Sequence, residues 1–249
     1  MATSSALMAT TSKDFSAFHY LFIFTGTFTG YYLANLHPEI NFTNTKFKIN
    51  ENKIILTIAF IFLLILLVMS SFPFFKLVQY GLASLLSFCY YTQFTSKNGS
   101  FFGTRSVYLL KNFSIALAWA FVTSPILLVN SDSILLFLQR FLFLFALSIS
   151  IDLRDIKKDS RRKIVTFPIQ HGFRKTKGVA IILLLLSVAL VYFYTCHQSS
   201  NSLLIASITS GILSILGILN LHEQSTNQEY LLLVDGNLLL HGILFFIFA

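Results

Sequence analysis

Apolar runs of membrane-spanning length recur along the chain, separated alternately by short polar turns and longer charged loops. A spanning helix needs roughly 20 apolar residues, with a range of about 17 to 25. Eight segments qualify: 15–34, 53–72, 76–94, 107–129, 133–151, 178–196, 202–221 and 229–248. "FPFFK" (72–76) supplies a proline suited to a tight reversal. "NSDS" (130–133) and "CHQSSNS" (196–202) are short polar turns, whereas 35–52, 95–106 and 152–177 are longer links. The pattern predicts an all-α, polytopic integral membrane bundle of about eight transmembrane helices, forming a single domain over 1–249.

Composition agrees with this pattern. Of 249 residues, 55% are hydrophobic, only 11% are charged, and Phe alone occurs 28 times. Soluble domains carry about a quarter charged residues, and a soluble core cannot hide this much apolar surface. Cys89 and Cys196 form neither a disulfide framework nor a metal motif. The polar opening, residues 1–14, has no basic n-region; it is expected to be a loose tail, not a cleaved leader.

Lys and Arg orient the bundle. With eight spans, fifteen of the 18 basic residues fall on the side of the long links, and only Lys13, Lys76 and Arg140 fall on the other. The positive-inside rule makes the long loops cytoplasmic and puts both termini outside. These basic residues are membrane flanks, and no nucleic-acid partner is expected. Asp235 lies six residues into the last span, about 9 Å deep. A carboxylate there needs protein, water or a cation to face. It is expected at a pocket wall or in a polar contact with Asn237.

The densest charge is "DLRDIKKDSRRK" (152–163), directly after an apolar helix. If that helix continues, Asp155 and Asp159 lie about 60° and 20° from Asp152 around the axis. The three carboxylates then share one narrow face, and Arg154, Lys157, Lys158 and Arg161 lie opposite. Two readings follow. The segment is a juxtamembrane helix whose basic face meets anionic lipid heads. Alternatively, three like charges gather around a cation. Mg²⁺ prefers hard oxygen ligands and bridges one or two carboxylates to substrate phosphates. The D-x-x-D-x-x-x-D spacing at a membrane helix end fits such a metal–diphosphate site.

The following residues narrow the choice. After Asp152, Asp155 and Asp159 come Lys163, Thr166, Pro168 and Gly172. This succession resembles the second aspartate-rich motif of the UbiA superfamily of intramembrane prenyltransferases, with its basic stretch, T-x-P and glycine. "RSVYLLKNFSIALAWAFVT" (105–123) is similar to the helix opening that family's second half. The strong likeness covers about 105–178, and the chain most resembles short bacterial members. It implies a helical bundle, normally of nine spans, in the bacterial inner (plasma) membrane with the motif on the cytoplasmic side. It implies a prenyl diphosphate held through Mg²⁺, a small-molecule aromatic or other acceptor, and surrounding membrane lipid. Asp152, Asp155 and Asp159 would hold the metal. Arg105, Lys111, Arg162 and Lys163 would contact diphosphate, or else serve as positive-inside anchors. The phenylalanines would line the isoprenoid tail, or simply pack and face lipid.

The family's first motif, N-x-x-x-D-x-x-x-D, is only half present. Asn35 and Glu39 fit its first two positions, Thr43 stands at the third, and Pro38 disturbs a helix there. Residues 1–14 would then be the remnant of a shortened first helix. A catalytically lapsed homologue that binds an isoprenoid, lipid or protein partner is the alternative function. A small transporter is the third; it usually carries ionisable residues near mid-membrane. Gly26, Gly30, Gly211 and Gly217 are read as close-packing positions. His171 is expected to be a loop residue, and His19, His37, His197, His222 and His241 have no ligand spacing. No nucleotide loop, nucleophile elbow or Cys/His metal box is present in the sequence.

Overall fold

The computed structural model describes residues 21–26, 74–91, 94–95, 101–102, 108–124, 131–161, 164–198 and 201–248. Within these residues the chain is helical, apart from short turns and connections and a two-residue ladder, β1 (Phe94–Thr95) with β2 (Phe101–Phe102). Residues 21–26 are helical; the rest of the expected spans 15–34 and 53–72 lies outside the described residues, as do Asn35, Glu39 and Thr43. The helices that follow are α1 (Phe74–Tyr91), α2 (Leu110–Thr123), α3 (Ser131–Arg161), α4 (Phe167–His171), α5 (Phe173–Gln198) and α6 (Asn201–Asn220). The last span comprises α7 (Asn227–Tyr230), a π-turn (Leu231–Asp235) and α8 (Gly236–Phe248). Six of the eight expected spans thus fall on described helices.

Local sequence sets the boundaries. The span expected over 107–129 is shorter, because Ser124 precedes Pro125 and takes an extended conformation (φ −120°, ψ 152°) that ends α2. Its start is also abrupt: Leu109 sits at φ 58°, a left-handed conformation rare for a branched side chain. That kink turns the chain into the helix two residues before Lys111. Pro168 occupies the first turn of α4, where its missing N–H is harmless. Gly172, at φ 83°, separates α4 from α5 in a backbone region that favours glycine. A capping box opens α7: Thr226 Oγ1 accepts from the Glu229 N–H, while Glu229 Oε2 accepts from the Thr226 N–H.

α3 is the central pillar, packing against α2, α5 and the last span. Phe143, Leu144, Ala146, Leu147 and Leu153 from α3 meet Ala116, Ala180, Leu184, Ile218, Val234 and Leu238 in one buried cluster. In the opposite direction, α5 exposes Ile182, Leu185, Leu186 and Phe193, each half exposed or more, as a lipid-facing surface requires. Among the described residues, α3, α5 and α6 are long and apolar enough to cross a membrane on their own. α3 has 31 residues, about 46 Å at 1.5 Å per residue, against a hydrocarbon core of about 30 Å. Its charged C-terminal turns therefore emerge at one membrane face, continuous with the helix as the sequence suggested.

Candidate active site

Asp152 is 1% exposed, at the point where α3 passes from apolar to charged sequence. Two neighbours from the first turn of α2 hold it. Lys111 Nζ lies 2.6 Å from Asp152 Oδ1, and Asn112 Nδ2 donates to Asp152 Oδ2 at 2.9 Å. Asn112 also donates to Ser148 Oγ at 3.1 Å, one turn earlier on α3. Two turns beyond Asp152, Asp159 is also buried, and its Oδ2 lies 3.7 Å from the same Lys111 ammonium. Two buried carboxylates thus flank one cation at the mouth between α2 and α3. Replacing Asn112 with Leu should cost about 1–3 kcal/mol of stability, because a buried carboxylate oxygen loses its donor. Thermal unfolding in detergent measures this.

Asp155 does not join them. Its side chain is about a quarter exposed, and its Oδ1 lies 3.4 Å from Arg154 Nε. Arg154 is within electrostatic reach of Tyr230 and Asp235 on the last span. The three aspartates expected on one face are therefore divided: Asp152 and Asp159 turn to α2, and Asp155 turns to Arg154. The division corrects the expectation of fully sorted acids and bases: Asp152 and Asp159 find their partner on α2, while Asp155 pairs with the adjacent Arg154 of α3 itself, a base expected on the opposite face. Among the described residues no three His, Cys, Asp or Glu gather as a metal-binding group. The donor set is short for a metal held by protein alone. Its two hard, buried carboxylates do suit Mg²⁺ arriving with diphosphate oxygens, which is how that ion commonly binds.

The loop after α3 closes on the same mouth. His171, read from sequence as a loop residue, ends α4, and its Nε2 lies 2.8 Å from Tyr108 Oη. Phe167 stacks near both rings. Thr166 of the T-x-P element is buried, and its hydroxyl has no hydrogen-bond partner. Arg105, Arg162 and Lys163 lie outside the described residues. Asp235 falls in the π-turn of the last span, with Oδ1 buried and without a hydrogen bond. The expected Asp235–Asn237 contact is not formed. Asn237 Nδ2 instead donates to Leu213 O of α6 at 3.2 Å and to Leu233 O, within the π-turn, at 2.5 Å.

A second polar cluster was not anticipated. Arg140, counted from sequence as a flank, is 1% exposed and donates to the Thr123 carbonyl. Its Cζ lies 5.7 Å from the Phe245 ring. His241 stacks on Phe143 at 3.9 Å, packs near Phe245, and meets Ser210 Oγ through Nδ1 at 2.7 Å. Gln139 is fully buried, with neither amide atom hydrogen-bonded. Arg140 lies twelve residues before Asp152, about 18 Å along α3. The sequence signal existed: Gln139, Arg140 and His241 interrupt apolar runs well inside predicted spans, where ionisable groups are rare.

The sequence model of the UbiA prenyltransferase family matches residues 47–239. The chain belongs to the UbiA prenyltransferase family. The match includes both halves of the Lys111–Asp152–Asp159 arrangement. A solved structure of a digeranylgeranylglyceryl phosphate synthase in membranes is similar in fold to this UbiA-family chain, with a TM-score of 0.61 at 17% identity. The likeness covers 99% of this chain and 91% of that one. No curated protein matches the sequence. As a UbiA-family member the protein is an all-helical membrane protein, in agreement with the hydropathy pattern and the lipid-facing side of α5.

Proposed function

We propose that the protein is an active intramembrane prenyltransferase. It transfers an isoprenyl group from a Mg²⁺-bound prenyl diphosphate to an aromatic or other small-molecule acceptor. The observation carrying this proposal is the pair of buried carboxylates, Asp152 and Asp159, flanking a cation at the end of a membrane helix in a chain of this family. Asp152 and Asp159 would hold the metal, which supplies charge neutralisation for the departing diphosphate. Lys111 is close enough to contact the same diphosphate, and Arg105, Arg162 and Lys163 are proposed to assist it. Asn112 fixes Asp152 in place. Tyr108 and His171 brace the mouth. Asp155, whose Oδ1 lies beside Arg154, stands apart from this pair.

In the transfer the allylic C1–O bond breaks, and diphosphate leaves with the bonding electron pair. The acceptor's nucleophilic atom then bonds C1 and releases a proton to diphosphate or solvent. The apolar walls around α3 exclude water from the allylic cation, which water would otherwise capture. We place the motif at the cytoplasmic face of a bacterial plasma membrane, in keeping with the fifteen basic residues on that side.

The test is pyrophosphate release by protein in nanodiscs, given farnesyl or geranylgeranyl diphosphate, Mg²⁺ and a panel of aromatic acceptors. Metal-dependent release that rises with acceptor is expected. Metal-dependent binding without turnover across the panel would instead mark a lapsed homologue, for which the half-formed Asn35–Glu39 motif is the supporting observation. The Arg140–His241 cluster gives the transporter its buried ionisable groups, and uptake without pyrophosphate release would favour it.

A further inference from the structure

Metal and Lys111 cannot share the site as it stands. The ammonium lies 2.6 Å from Asp152 Oδ1 and 3.7 Å from Asp159 Oδ2, so a divalent ion reaching both carboxylates would need the space that it fills. Two cations cannot occupy that space together, because their repulsion is largest where water is excluded. We propose that Lys111 is a tethered counter-cation that fills the metal position in the substrate-free protein. It yields that position only when metal arrives with diphosphate. This inference rests on the prenyltransferase reading and adds an order to it: substrate-free protein binds metal weakly, and loading of metal and diphosphate is coupled.

The surroundings are built for such an exchange. Asp152 has a fixed partner and a movable one. Asn112 is 2% exposed and anchored to both Ser148 and Asp152, so it stays in place. Lys111 enters from the mouth with its side chain 12% exposed, on a flexible four-carbon stem. Its departure frees Asp152 Oδ1, while Oδ2 remains held by Asn112. Position on the helix also favours release. Lys111 is the second residue of α2, where the helix dipole disfavours a cation. An incoming diphosphate offers more negative charge at the same mouth and gives the ammonium a destination. In the empty protein the lysine also offsets the repulsion between two buried carboxylates, which would otherwise oppose folding of this end of α3.

The experiment is Mn²⁺ binding, read by electron paramagnetic resonance, on purified full-length protein in nanodiscs. Each protein is measured without and with a non-hydrolysable farnesyl thiodiphosphate. Lys111→Gln keeps a donor for Asp152 but removes the charge; Lys111→Arg keeps the charge. Without diphosphate, Lys111→Gln is expected to bind Mn²⁺ at least about tenfold more tightly than wild type, about 1.4 kcal/mol or more. Lys111→Arg should remain weak. With the analogue, wild type should gain Mn²⁺ affinity, and Lys111→Gln should gain less. If metal-free Lys111→Gln does not fold, the same contrast is read as recovery of folded protein when Mn²⁺ is present throughout purification. Asp152→Asn must abolish the tight binding, which assigns it to this site.

Equal or weaker Mn²⁺ binding by Lys111→Gln overturns the exchange. If wild type still binds Mn²⁺ with the analogue, the prenyltransferase reading survives that result. No Mn²⁺ binding by any protein under either condition overturns both.

Discussion

Asp152→Asn is expected to remove Mg²⁺-dependent binding of prenyl diphosphate, with a loss of about 100-fold or more. Asp152 is buried, contacts Lys111 at 2.6 Å and receives Asn112 at 2.9 Å. Removing one partner of a buried charge pair typically costs about 3–5 kcal/mol, and a loss of that size in affinity is about two to three and a half decades. The asparagine keeps the shape and a carbonyl oxygen, so the fold should survive while the charge that attracts metal is gone. Asp152→Ala should be worse for the fold, because it leaves the Lys111 ammonium beside an empty space. Asp159→Asn should act in the same direction as Asp152→Asn. Asp155→Asn, at a side chain about a quarter exposed beside Arg154, should lose less than about tenfold. Equilibrium binding of a fluorescent prenyl diphosphate analogue across the three variants measures this gradient. Equal losses at all three positions would contradict the division of the aspartates between α2 and Arg154.

Gly217→Val should sharply reduce folded yield. A Cβ at this position of α6 would stand 2.5 Å from the Leu233 carbonyl oxygen and 2.6 Å from Asn237 Nδ2. The first is backbone and cannot swing aside. The second is the amide that serves Leu213 and Leu233 carbonyls beside the π-turn. Overpacking of a tight contact costs about 1–3 kcal/mol by steric strain alone, and here the polar contacts of the π-turn are lost as well. Gly217→Ala should already lower the melting temperature. Gly81→Ala is the contrast: nothing lies within 4 Å of its Cβ, and it should be neutral or stabilise α1 by about 0.5–1 kcal/mol, since alanine is the better helix former. Size-exclusion profiles and thermal unfolding in detergent separate the two outcomes. A monodisperse Gly217→Val protein with an unchanged melting temperature would contradict the close packing of α6 against the last span.

Much of this was legible in the sequence because a bilayer imposes a simple rule on composition. Span length, short turns and segregated charge predicted the helices from 76 to 248, and α3 runs unbroken through Asp152 as its pattern implied. Gly211 and Gly217 proved to be close-packing positions, each with a neighbour under 3 Å from an added Cβ. What hydropathy does not encode is which neighbour a side chain finds. Helical spacing put Asp152, Asp155 and Asp159 on one arc; only the packing of α2 on α3 draws Asp152 and Asp159 to Lys111, while Asp155 pairs with the adjacent Arg154. Lys111 was read as a diphosphate contact or an anchor, but its place between Asp152 and Asp159 follows from how α2, opening after Leu109 at φ 58°, packs on α3. Arg140 was misplaced for a related reason. Counting charges by loop treats every cation as a flank, whereas a mid-helix arginine can be enclosed by Phe245 and the Thr123 carbonyl.

The central claim is that the Asp152–Asp159 mouth holds a metal–diphosphate pair. The most direct measurement is equilibrium binding of geranylgeranyl diphosphate to the protein in nanodiscs, with Mg²⁺ and with chelator, beside an Asp152→Asn/Asp159→Asn variant of unchanged helical content. The account predicts Mg²⁺-dependent binding that the double variant loses. Binding that ignores both the metal and the double substitution would contradict it, returning these carboxylates to a structural ion pair with Lys111.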